Sequence, residues 1–95
     1  MPQLPLSGQS DQPSVPSFQC IAYLRQLQDG GVSIRVANLD GLQCTAASER
    51  DALAKLIPKF KSKVQDYMQQ GTVPWIDPPS AKDADEARRI IPVHL

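Results

Sequence analysis

The chain has 95 residues, of which ten are basic and ten acidic, so its formal net charge at pH 7 is zero. A chain of this length forms at most one domain with a thin, two-layered core. A neutral chain also lacks the overall positive field that draws proteins to nucleic acid or to an anionic membrane. Cys20 and Cys44 stand in apolar runs without metal-ligand spacing, which favours buried free thiols over a disulfide and indicates a reducing, cytoplasmic environment.

Residues 1–17 carry four prolines among serine, glutamine and glycine residues. Such a composition buries too little apolar surface to offset the conformational entropy that is lost on folding. We therefore expect a disordered N-terminal arm. The segment also lacks the positive start and the apolar run of a signal peptide, so we expect neither secretion nor a membrane anchor.

Three short strands are predicted in residues 18–46. The segment FQCIAYLRQL, residues 18–27, is rich in β-branched and aromatic residues, and an Asp-Gly-Gly turn follows it. Apolar and polar residues alternate in VSIRVANL, residues 32–39, so one face of that strand should be buried. After an Asn-Leu-Asp-Gly turn, residues 42–46 alternate again. These segments predict an antiparallel meander.

Residues 48–70 predict one long helix. Ser48 is expected as its N-cap, and Gly71 is expected to end it in a left-handed conformation. Pro58 removes one backbone hydrogen bond and is expected to bend the helix without ending it. Apolar side chains recur at intervals of three and four residues, which predicts a stripe that packs on a sheet: Leu53, Leu56, Ile57, Phe60, Val64, Tyr67 and Met68.

The last part of the chain predicts an extended connection and a final strand. Residues 72–88 contain three prolines, and we expect one or two helical turns within residues 80–87. The apolar run in residues 89–95 predicts a strand that Pro92 restricts to an edge of the sheet or to a position where its missing N–H faces outward. A right-handed β-α-β crossover would place this strand parallel to strand one. The predicted fold class is therefore α+β: a single βββαβ domain over residues 18–95.

This order of elements resembles the HicB-like fold of bacterial and archaeal toxin-antitoxin systems. Leu39-Asp40-Gly41 is similar to the turn before the family's third strand, and residues 48–53, SERDAL, are similar to the start of its helix. Gly71-Thr72-Val73-Pro74 with the Pro78-Pro79 pair resembles the exit from that helix, and RIIPVHL resembles the closing strand. The resemblance covers residues 18–95.

The resemblance implies a partial ribonuclease H-like module that binds a small ribonuclease toxin and often dimerises. It also implies that the last strand lies beside strand one and that strand two separates strand one from strand three, which would hold Cys20 and Cys44 too far apart for a disulfide. The chain departs from the family at Asp40, at Pro58 and in its N-terminal arm. It also ends at Leu95 without the DNA-binding domain of many family members, so operator binding is not expected.

No catalytic constellation is evident, and we expect neither an enzyme nor a bound metal or cofactor. Ribonuclease H chemistry needs several carboxylates that converge on two metal ions, whereas the acidic residues of this chain fall in turns, at the helix start and in the connection. His94, the only histidine, has no identifiable polar partner for general base catalysis. Ser48 is explained by its capping position.

Two groups of residues are candidate binding surfaces. The first is Val73, Trp75 and Ile76, which would contact another protein, a small toxin or a second copy of the chain, if Trp75 were exposed and not folded back on the core. The second consists of basic residues on the predicted helix, which could contact phosphates of a nucleic acid but are also ordinary for a solvated helix face: Arg50, Lys55, Lys59 and Lys63. We expect a non-catalytic protein-binding module, with a small RNA-binding domain as the alternative and nucleic acid the less favoured partner.

Overall fold

A computed structural model describes residues 17–95 of the chain. The elements in chain order are the strands and the helix that follow: β1 (Ser17–Gln26), β2 (Val32–Val36), β3 (Gln43–Ala46), α1 (Glu49–Gln70) and β4 (Glu86–His94). The order βββαβ is the predicted one. The predicted N-terminal arm lies outside the described residues except for Ser17, which is the first residue of β1.

The four strands form one sheet in the order β3-β2-β1-β4, and each pair of neighbours is antiparallel. In β1 and β2, the buried apolar side chains at alternate positions point to the face that carries α1, because successive residues of a strand point to opposite faces. Leu24 and Ile34, for example, lie opposite each other in β1 and β2 and are both buried. The α+β class, the meander and the place of β4 beside β1 are confirmed.

The direction predicted for the last strand is wrong, since β4 is antiparallel to β1 over all nine residues from Glu86 to His94. The prediction assumed that the helix is the whole crossover. Instead, the chain crosses the sheet twice between β3 and β4. Helix α1 covers one face. The connection first packs Val73 and Trp75 against the core on the helix side, and residues 78–85 then return over the opposite face, where the Tyr23 hydroxyl donates a hydrogen bond to the Ser80 carbonyl at 2.7 Å. Two crossings in opposite senses bring the chain back to the end from which an antiparallel strand must start.

The connection between α1 and β4 also differs from the prediction in its local structure. Residues 80–87 contain no helical turn, and β4 begins at Glu86, three residues before the predicted start. The early start follows from pairing with the end of β1, where Glu86 lies opposite Arg25. Pro92 lies on this edge strand as predicted, opposite Gln19.

Helix α1 begins and ends as its sequence predicts. The Ser48 side chain accepts a hydrogen bond from the Asp51 N–H at 3.1 Å, and Glu49 and Asp51 place negative charge in the first turn. Gly71 has a φ of 124°, a conformation that favours glycine, and its N–H bonds to the Met68 carbonyl. The helix continues through Pro58 without ending.

The core lies between α1 and the sheet. Leu56, Phe60 and Val64 of the predicted stripe are fully buried, as is Ala52, whereas Met68 at the end of the stripe is 43% exposed. Burying a side chain as large as Leu56 or Phe60 contributes about 1.5–3 kcal/mol. The stripe is therefore confirmed over most of its length, up to Tyr67, which also packs against the core.

Candidate functional site

Trp75 folds back on the end of the core instead of standing free. Its ring lies 5.6 Å from the ring of Phe18 and 6.0 Å from that of Phe60, measured between centroids. Tilted aromatic pairs at this separation add to the stability gained from burial alone. The indole remains half-buried. One of its sides is thus held by β1 and α1 while the rest stays accessible.

Val73, Trp75 and Ile76 lie together at this end of the sheet, and we call them the Trp75 site. All three are half-buried. Their backbone is fixed by the Trp75 N–H, which donates to the Val73 carbonyl at 2.9 Å, and by the Ile76 N–H, which donates to the Asn38 carbonyl at 3.0 Å. Trp75 and Ile76 also line a groove of about 280 Å³. The site is therefore an apolar patch with a fixed backbone, which lowers the entropy lost when a partner binds.

The Asn38 side chain joins β1 to the segment that follows β2 at this end of the sheet. Its side chain accepts a hydrogen bond from the Ile21 N–H at 3.1 Å and donates one to the Gln19 carbonyl at 2.8 Å. The amide thus replaces the strand-to-strand bonds that β1 would otherwise lack below Val36, the last residue of β2. Asn38 is buried, and its pairing satisfies backbone groups that would be costly to leave unpaired.

On the face opposite α1, two arginines hold the returning chain against the sheet, and we call this group the arginine clamp: Arg25, Arg35, Asp83, Asp85 and Glu86. The Arg35 guanidinium forms two hydrogen bonds of 2.8 Å to the Glu86 carboxylate, and it also reaches the Ser80 hydroxyl and the Ala81 carbonyl. Arg25 bridges Asp83 and Asp85 at 2.8 Å each. A planar guanidinium suits such two-pronged contacts with carboxylates.

Glu86 is the buried member of the clamp, with a side chain that is 2% exposed. The hydrogen bonds from Arg35 lower the pKa of Glu86 from 4.5 to about 2, against the opposing effect of burial. A general acid or base works best with a pKa near the working pH. The clamp instead moves the pKa of Glu86 further below neutral pH. This carboxylate therefore stays ionised and holds the returning chain in place.

Sequence reasoning did not find the clamp, because it considered the acidic residues of the connection only as metal ligands and not as partners of arginines in the strands. A signal was present in the strands, where Arg25 and Arg35 both stand at positions that alternate with buried apolar residues. Two arginines on one face of a sheet predict an anionic partner for that face. The Arg35 guanidinium also lies 5.0 Å from the centroid of the Tyr23 ring, a cation–π distance.

The basic residues predicted as an alternative site lie on α1, and we call them the lysine face: Arg50, Lys55, Lys59 and Lys63. Arg50, Lys55 and Lys59 are exposed and Lys63 is half-exposed. Lys55 reaches the Thr45 carbonyl at 3.4 Å. Lys59 and Lys63 line a shallow groove of about 600 Å³ together with Tyr67 and the acidic Asp66. The lysine face therefore borders β3, and the Asp66 carboxylate lies in the groove beside Lys59 and Lys63.

The other candidate groups remain separate. His94 is exposed at the end of β4, and Cys20 and Cys44 are free thiols. Burial raises the pKa of the Cys20 thiol to about 12, which makes it unreactive. Within residues 17–95, no three His, Cys, Asp or Glu side chains are arranged to hold a metal ion. No helix described here is long and apolar enough to cross a membrane.

Comparison with known proteins gives no match to a family model, to a curated protein or to a solved structure. The resemblance to the HicB-like family therefore stays a prediction that rests on the motifs and the element order.

Proposed function

We propose that this protein is a non-catalytic, cytoplasmic binding module of the HicB-like antitoxin type, which binds a small ribonuclease toxin. The Trp75 site is the observation that supports the proposal most directly. Although Trp75 folds back on the core, the site combines the open side of its half-buried indole with two half-buried aliphatic side chains, on a backbone that is fixed before any partner arrives. Tryptophan is enriched among the residues that contribute most to protein–protein binding.

The charges of the clamp also favour binding over catalysis. Asp83 and Asp85 at the end of the connection, and Glu86 at the start of β4, are paired with arginines at 2.8 Å. Carboxylates in such pairs hold the connection in place, and through it they position the Trp75 site, which lies in the same segment. The proposed role of residues 71–85 is therefore to present a binding surface.

The proposal is tested by expressing the chain together with the small ribonuclease encoded by a neighbouring gene. We expect the two proteins to purify as a complex and the ribonuclease to lose activity in it. Ile76→Asp should weaken the complex, because it places a charge in the apolar contact. Leu42→Asp is the matched control, since Leu42 is also half-buried and apolar but borders the lysine face. Equal effects of the two changes, or failure to bind such a ribonuclease, would contradict the proposal.

Binding of RNA through the lysine face is the second candidate function, favoured by the groove that Lys59 and Lys63 share with Tyr67. This function requires an affinity for single-stranded RNA that falls steeply with salt, because lysines that contact phosphates release counterions. The triple change Lys55→Glu, Lys59→Glu and Lys63→Glu should abolish that affinity. Absence of an RNA mobility shift at low salt would exclude this candidate.

A further inference from the structure

Strand β4 forms one edge of the sheet, and no described residue pairs with its outer side. Two large apolar side chains of residues 17–95 are strongly exposed, and both lie close to this edge. Ile90, in the middle of β4, is 54% exposed, and Met68 lines a groove with Leu95, the residue that follows β4. An open edge with exposed apolar residues is a template for another strand.

The register shows which backbone groups of β4 face outward. In β1, the Gln19 carbonyl and both backbone groups of Ile21 bond towards β2, to residues 37–38. Alternate residues of a strand direct their backbone groups to opposite sides, so Cys20 and Ala22 must bond to β4. Their partners Ile91 and Arg89 point inward. The backbone groups of the residues that alternate with Arg89 and Ile91 therefore point to the open side: Arg88, Ile90 and Pro92.

Several of the outward groups are already satisfied. At the start of the strand, both backbone groups of Glu86 are bonded within the connection. The Arg88 carbonyl accepts a hydrogen bond from the Arg89 side chain at 3.1 Å, and Pro92 has no N–H to donate. Between Arg88 and Pro92, three residues then offer what remains: Arg88 offers its N–H, Ile90 offers its N–H and its carbonyl, and Pro92 offers its carbonyl.

We propose that β4 pairs with β4 of a second copy of this chain, antiparallel and centred on Ile90. In this register the Ile90 N–H of each copy donates to the Ile90 carbonyl of the other, and each Arg88 N–H donates to the Pro92 carbonyl opposite. Proline has no backbone N–H, so Pro92 donates nothing to the Arg88 carbonyl opposite it. That carbonyl already accepts a hydrogen bond from the Arg89 side chain. All free groups from Arg88 to Pro92 are thus matched, which is why a second copy fits this edge.

The side chains suit the same register. On the face opposite α1, the two Ile90 side chains become direct neighbours and cover each other, which removes the largest exposure of an apolar side chain in the described chain. Each Arg88 lies opposite Pro92 of the other copy, so the two arginines do not face each other directly. The product is one continuous sheet of eight strands, four from each copy.

The test exploits the position of residue 90 on the two-fold axis. Sedimentation of the full chain between about 10 µM and about 1 mM should detect a dimer. Ile90→Lys and Ile90→Asp should each weaken that dimer by about tenfold or more, because like charges then lie directly opposite each other. An equimolar mixture of the two variants should form a heterodimer, because the opposed charges are then complementary. His94→Lys is the matched control, since it adds a charge to the same strand outside the paired segment, and it should leave the dimer unchanged.

Ile90→Pro provides a second, independent variant. It removes an N–H that faces outward and leaves the bonds to β1 in place, as Pro92 already does, so the monomer should keep its circular dichroism spectrum while the dimer is lost. A wild-type chain that is monomeric throughout, or a dimer that the changes at Ile90 leave intact, would overturn the proposal. The inference rests on the edge of β4 alone. If the chain is a monomer that binds the ribonuclease, the dimer proposal is overturned and the proposed function stands. If the chain is a dimer that binds no ribonuclease, the proposed function is overturned and the dimer proposal stands.

Discussion

Replacing Glu86 with glutamine tests whether the arginine clamp holds the returning chain on the sheet. The pKa of Glu86 falls from 4.5 to about 2 in the folded protein. At about 1.36 kcal/mol for each unit of pKa, the ionised carboxylate contributes about 3 kcal/mol to the free energy of unfolding. Small domains have about 5–15 kcal/mol in total, so the Glu86→Gln chain should be clearly less stable at pH 7.

The effect of this change should depend on pH in a defined sense. Because the pKa of Glu86 is lower in the folded protein, its contribution is complete above pH values of about 5 and is lost as the pH falls towards 2. Glutamine has no charge to lose. The difference in unfolding free energy between wild type and Glu86→Gln should therefore shrink over this window. The hydrogen bonds from Arg35 are the main cause of the lowered pKa, so Arg35→Gln should remove most of the same pH dependence.

Urea unfolding followed by circular dichroism, at several pH values between about 2 and 7, measures these differences. Asp66→Asn is the control, because Asp66 is an exposed carboxylate on α1 away from the clamp. It should change stability by less than about 0.5 kcal/mol. A difference between wild type and Glu86→Gln that is the same at pH 2.5 and at pH 7 would refute the reasoning.

Three further predictions concern the core, the sheet end and the helix, and urea unfolding measures each of them. Phe60→Ala should cost about 3–5 kcal/mol because it empties a fully buried site beneath Trp75; a cost below about 1 kcal/mol would mean that this packing is not formed. Asn38→Leu should cost about 2–4 kcal/mol, since it leaves the Ile21 N–H and the Gln19 carbonyl without partners, and an unchanged midpoint would argue against that role. Pro58→Ala should raise stability by about 1–3 kcal/mol, because Pro58 is exposed inside α1; a loss of stability would show that the proline is required.

The last strand has some features that a few adjacent residues determine and one, its direction, that only the fold determines. The run Ile90-Ile91-Pro92-Val93 identifies a strand, and Pro92 restricts it to an edge, because both are properties of a few adjacent residues. Its direction depends on the path of the whole connection, and the prolines of that connection are equally compatible with a path over either face of the sheet. The contacts that hold this path, such as the hydrogen bond between Tyr23 and Ser80 and the ion pair between Arg35 and Glu86, join residues that are far apart in the sequence.

The two candidate binding surfaces also depend partly on local sequence and partly on the fold. The presence of Trp75 in a proline-rich loop marked it as a candidate contact residue. Whether its side chain folds back on the core or stays exposed depends on which distant residues the fold places beside it. Phe18 and Phe60 lie beside it and hold it. The positions of Lys59 and Lys63 on one side of the helix follow from their spacing of four residues, whereas their shared groove depends on the fold, which brings Leu42 beside them.

By itself, the sequence determined the elements whose signals are local: the alternation that defines β2, the Ser48 cap, the apolar stripe of α1 and the glycine that ends the helix. Tertiary structure decided the direction of β4, the burial of Glu86 against Arg35 and the packing of Trp75. The physical reason is one of range. Caps, turns and periodicity depend on residues within a few positions of each other, whereas ion pairs, aromatic contacts and strand direction depend on residues that only the folded chain brings together.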